Sequence, residues 1–169
     1  MSEEEAIYAF ADPRDLAALR EALAEATAAR AAGRHPFGAL VLAADGTELA
    51  RAGNASATGE DPTAHAELRA VREAAARHGS ARLRGGTLVT SAEPCAMCAG
   101  GAYWAGLSRV VYGLSETRLR NLTGNHPENP TLDLPCREVF ARGQRAVIVI
   151  GPLIEDEAAA VHDGFWAQD

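Results

Sequence analysis

The chain has 169 residues, 47% of them apolar, enough for one domain with a hydrophobic core. Its sixteen basic residues are all arginine, and against 23 acidic residues they leave a formal charge of -7. That balance supplies no basic field for gathering phosphates, which disfavours nucleic acid as a partner, and the ordinary 23% charged fraction argues against disorder.

The chain opens Met1-Ser2-Glu3-Glu4-Glu5, the opposite charge to the leading segment of a signal peptide. No apolar stretch approaches the roughly 18 to 20 residues that span a bilayer. A cytoplasmic protein without membrane association is the expectation. Residues 1–11 read as an extension of a single domain that covers 1–169. Asp12 followed by Pro13 predicts a helix start. Leu16, Leu19, Leu23 and Ala26 then recur at helical spacing until Gly33. The apolar run 38–43 and the segment 47–52, joined at Asp45-Gly46, predict a hairpin. A second helix is predicted from near Pro62-Thr63 to His78-Gly79, carrying Leu68 and Val71 inward.

From there the pattern alternates. Residues 87–91 predict a strand, Pro94 opens a helix through Trp104, and 109–112 and 147–150 predict further strands before a helix from Glu155. Such alternation implies βαβ units with helices on both faces of a mixed sheet. Between them, 114–135 contains Gly124, Pro127, Pro130 and Pro135 and shows little periodicity. A long irregular segment in a compact domain is more often functional than idle, so it is a candidate substrate loop.

Two short stretches concentrate the chemistry: His65-Ala66-Glu67 and Pro94-Cys95-Ala96-Met97-Cys98. A hydrolytic zinc site takes three imidazole or thiolate ligands and keeps a fourth position for water. Cys95 and Cys98 stand three apart at a helix start, where the dipole and free N–H groups favour thiolates. With His65 they make a ligand set for one zinc ion. Glu67 can then move protons between water, a ring nitrogen and departing ammonia. On an ideal helix His65 and Glu67 do not face each other, so their convergence depends on the helix end. A thioredoxin-like redox pair leaves His65 and Glu67 without a role. A structural zinc needs a fourth protein ligand, for which Cys136 is the candidate, although a small buried residue is its ordinary fate. His35, His78, His126 and His162 lack partners in the sequence and read as surface or packing residues.

The stretches Asp61-Pro62-Thr63-Ala64-His65-Ala66-Glu67 and Glu93-Pro94-Cys95-Ala96-Met97-Cys98-Ala99-Gly100 resemble the purine branch of the cytidine deaminase superfamily, which includes guanine deaminases and tRNA adenosine deaminases. The resemblance spans residues 14 to 113 and fades beyond them. It implies a three-layer α/β/α sandwich around a five-stranded mixed sheet. It also implies zinc on His65, Cys95 and Cys98, Glu67 as proton shuttle, and a homodimer.

Pro36-Phe37-Gly38-Ala39 and Tyr103-Trp104-Ala105 resemble the guanine deaminase pattern in particular. That resemblance places Phe37 and Asn54 in the pocket, the first stacking on a flat base and the second bonding its edge. Ala66 and Trp104 are further candidate contacts, Trp104 being equally compatible with a core role. Residues 114–135 depart from the family's pattern, and within them Asn125, His126, Glu128 and Asp133 are the candidate substrate contacts. A changed loop allows a changed base, such as cytosine, a modified purine or an aminotriazine. The acidic, aromatic ending favours a free base over tRNA, because it repels phosphates. The expected function is therefore hydrolytic deamination of a guanine-like free base. A tRNA adenosine deaminase and a non-catalytic zinc-stabilised binding module are the alternatives.

Overall fold

The computed structural model describes residues 11–56, 59, 61–124 and 126–167. Most of the expected extension, and the candidate contact Asn125, lie outside the described residues. Helix α1 (Pro13–Ala31) opens on a capping box, in which Asp12 accepts from Arg14 N–H and Asp15 accepts from Asp12 N–H at 2.8 Å. Strands β1 (Gly38–Leu42) and β2 (Glu48–Gly53) form the antiparallel hairpin expected around Asp45-Gly46. Then come α2 (Ala66–His78), β3 (Thr87–Ala92), α3 (Ala96–Trp104), β4 (Arg109–Leu114), α4 (Glu116–Thr123), α5 (Cys136–Ala141), β5 (Ile148–Ile150) and α6 (Glu155–Ala160). The sheet order is β2-β1-β3-β4-β5, with β1 antiparallel to β2 and β3, and β3, β4 and β5 parallel.

Side-chain alternation along these strands divides the core into two halves. Leu40, Val89, Val111 and Ile150 point to α1, meeting Leu19 and Ala22. Ala158 and Ala159 of α6 pack on the same side, with Leu23, Ala92 and Leu114. Val41, Leu88, Val110 and Tyr112 point the other way, onto the alanines of α2 and α3. Helices on both faces make the α/β/α sandwich. At Gly38 α1 lies close against the sheet, since a Cβ there would run into the backbone of Ala22 and Ala26.

Three elements differ from expectation. Helix α2 starts at Ala66 because Asp61 turns back to accept from the N–H and hydroxyl of Thr63, which keeps 61–64 out of the helix; Leu68 is only partly buried. Helix α3 starts at Ala96, two residues beyond Pro94. The segment 114–135 is not irregular throughout. Ser115 caps α4 by accepting from Arg118 N–H, and Leu119 and Thr123 are buried one turn apart. Among the described residues, its irregular part is confined to 124 and 126–135.

Candidate active site

Both ligand-bearing helices begin at the site. His65 and Cys95 are the N-cap residues of α2 and α3, with extended backbone (ψ of 151° and 168°), and neither side chain caps its own helix. Each side chain therefore leaves the chain just ahead of the helix. This explains how His65 and Glu67 converge although residues two apart on a helix do not. Gly101 lets α3 lie against Leu68 of α2, where a Cβ would collide with the leucine tip.

His65 Nδ1 lies 3.6 Å from Cys95 Sγ and 3.6 Å from Cys98 Sγ. These three ligand atoms lie within 4.8 Å of one another. One imidazole nitrogen and two sulfurs, half-open to a cavity, fit zinc with a coordination position left for water. Cys136 takes no part, being buried in the core at the start of α5. The hydrogen bond from Cys98, with that of His65, pulls Cys95 down to about 4. The Cys95 bond and burial push Cys98 up. His65 is raised by its bond to Cys95.

Glu67 is 6% exposed, and Cys98 Sγ approaches its Oε2 at 3.6 Å. Burial raises its carboxyl, the nearby Cys95 thiolate adds to the rise, and His65 opposes it. A buried carboxyl with a raised affinity for protons can both take and return one.

In front of these residues lies a cavity of about 570 Å³, a size suited to a small molecule. Phe37, Asn54 and Glu128 stand on its wall with His65, Glu67 and Cys95. Asn54 Oδ1 accepts from the backbone N–H and hydroxyl of Ser56, at 3.0 and 3.1 Å, so its amide N–H is what it offers a ligand. The other candidates lie elsewhere. Trp104 is 86% exposed at the outer end of α3, Asp133 pairs with Arg120 at 2.6 Å, and Ala66 is buried in the core. His126 is absent from the wall and supports it from behind, accepting from Glu128 N–H at 3.2 Å and packing edge-on against Trp166.

The wall also holds residues that the sequence did not single out. Glu93 Oε2 accepts from Glu116 N–H and its Oε1 from Cys136 N–H, both at 3.0 Å, so one buried carboxylate ties down the starts of α4 and α5 on either side of the loop. Burial, reinforced by Glu93, pushes Glu116 up to about 7. His35 Nε2 meets Glu128 Oε2 at 3.0 Å and holds the loop to the strand side of the cavity. Its only signal in the sequence was proximity to Phe37. Trp166, 6% exposed, packs within this chain on the rings of His35, Phe37, His126 and His162. The C-terminal aromatics thus buttress the site of their own chain.

Residues 13–114 match the cytidine and deoxycytidylate deaminase zinc-binding region. Over 153 residues the chain is 41% identical to a probable cytosine deaminase of Schizosaccharomyces pombe, covering 90% of this chain and 93% of that one. It superposes on a guanine deaminase from Nitrosomonas europaea with a TM-score of 0.73 at 30% identity, covering 90% of this chain and 84% of the other. A structure from a study of A-to-I editing by tRNA:A34 deaminases aligns with a TM-score of 0.69 at 31% identity, covering 86% and 99%.

Proposed function

The chain belongs to the cytidine and deoxycytidylate deaminase family, and from that membership we propose that it hydrolytically deaminates a free nucleobase. The observation that carries the choice of substrate is the cavity wall. Its described residues include four glutamates, at 67, 93, 116 and 128, and no arginine. A phosphate in that cavity would meet several carboxyl groups and no arginine, whereas an uncharged aminated ring meets hydrogen-bonding groups and the face of Phe37. Cytosine and guanine are the bases that the similarities favour.

His65, Cys95 and Cys98 would hold zinc, which when bound would supply a Lewis acid able to make water nucleophilic near neutral pH. Glu67 takes a proton from the attacking water and passes it to the ring nitrogen beside the amino-bearing carbon. It then delivers the second proton to the amino group. The carbon–nitrogen bond breaks, ammonia departs and a ring carbonyl remains. Phe37 orients the ring and Asn54 donates to its polar edge.

A homodimer accompanies this reading, supported by Trp104, a large aromatic ring left exposed on the helix that carries Cys98. Three free cysteines fit a reducing compartment such as the cytoplasm, and among the described residues no helix is long and apolar enough to cross a membrane. The test measures ammonia release from cytosine, guanine and related bases beside inosine formation in an anticodon stem-loop. Release from a free base is the expected result. Activity on the RNA alone overturns the proposal.

A further inference from the structure

Thr131 lies on the cavity wall, on the segment that follows the Glu128–His35 contact. Its Oγ1 is buried and has no hydrogen-bond partner, the one such side-chain atom among the described residues. Its neighbours on the wall are engaged within the protein: Ser56 Oγ donates to Asn54, and His35 and Glu128 hold each other. A buried hydroxyl left unpaired is costly, and folded proteins keep few of them. Thr131 is itself one of the residues that line the cavity in which the base must sit.

The ligand chemistry follows from how few donors the wall offers. Ionised carboxylates accept hydrogen bonds and cannot donate them. An oxo-bearing base such as cytosine or guanine brings a carbonyl oxygen that must find a donor when buried. With no arginine or lysine among the described wall residues, and with the Asn54 amide N–H given to another part of the base's edge, a neutral hydroxyl is a further donor suited to that oxygen. Resting on the free-base reading, we propose that Thr131 is a specificity-determining substrate contact whose hydroxyl donates to a carbonyl oxygen of the bound base. The segment is held in place for this by three attachments: Glu128 to His35, the Glu128 N–H to His126, and the His126 ring to Trp166.

The test compares the zinc-loaded wild type with Thr131→Val and Thr131→Ser, using ammonia release from cytosine, guanine and their analogues without the oxo group, 4-aminopyrimidine and 2,6-diaminopurine. For the oxo base that is turned over, Thr131→Val raises KM about tenfold, the scale of one neutral hydrogen bond, with kcat little changed. The analogue without the oxo group shows no such increase. Thr131→Ser recovers most of the loss. The melting temperature of the valine variant stays equal to or above that of the wild type, because the group removed satisfied nothing in the protein. Equal KM values for the wild type and the valine variant, or equal losses on both kinds of base, overturn this assignment while leaving the free-base reading intact. A wild type that releases ammonia from no base overturns both.

Discussion

Trp166 donates its indole N–H to His162 Nδ1 at 3.0 Å, a bond that the imidazole can accept only while that nitrogen is unprotonated. Burial, with the Arg30 charge adding to it, pulls His162 down to about 4. Unfolded, the same ring titrates near 6.5. The unfolded chain therefore binds the proton first, and the contribution of neutral His162 is complete above about pH 6.5 and lost as the pH falls toward 4. In His162→Gln, which keeps an acceptor without a titrating ring, the melting temperature should fall less over this interval, by about 5 °C. Thermal melts at pH 7 and pH 5 check this; parallel losses in both proteins contradict it. At this scale the ligand set was legible because its chemistry is local: His65 and Glu67 lie in one tripeptide, and Cys95 and Cys98 in one turn. Thr131, Glu93 and His35 were not, since each matters through a partner or a space that only the folded chain brings near.

Among the elements, the contact of α1 with β1 is the most exacting. Gly38 N–H donates to Ser91 Oγ at 3.0 Å, and a Cβ at this residue would overlap backbone atoms of Ala22 and Ala26. Backbone cannot rotate aside as a side-chain tip can, so Gly38→Ala must lift α1 from the sheet. The expected loss is about 2 to 3 kcal/mol, readable by urea denaturation; a variant of unchanged midpoint contradicts the packing described. The strands and most helices were legible from apolar runs and from Asp12-Pro13. Helix α4 was not, because Pro and Gly residues crowded the second half of its segment and hid a short helix whose buried side is only Leu119 and Thr123. The starts of α2 and α3 were misplaced for a related reason: proline marked where a helix could begin, while extended N-cap residues decided where it did. That shift carries functional weight, since it is what aims His65 and Cys95 at one point.

At the level of the whole molecule, the metal set joins α2 and α3 on one side of the sheet, 30 residues apart in sequence. A ligand that binds only the folded form stabilises it in proportion to the logarithm of its concentration over its dissociation constant. Stripping the metal with a chelator should lower the melting temperature by about 10 °C, and zinc should restore it. Cys95→Ala should show the low value with or without zinc. An unchanged melting temperature after verified metal loss contradicts this coupling. The charge of -7 also has a local counterpart, for glutamates 67, 93, 116 and 128 meet around one cavity. The composition predicted repulsion of phosphate in general terms; the fold concentrates it where a substrate enters.

The most direct measurement follows ammonia from cytosine and guanine with zinc-loaded wild type and Glu67→Gln, each verified to carry about one zinc per chain. The account predicts release from at least one base by the wild type, and a rate lower by a factor on the order of 10² or more in the variant. No release from either base, or a Glu67→Gln protein as active as the wild type, would contradict it.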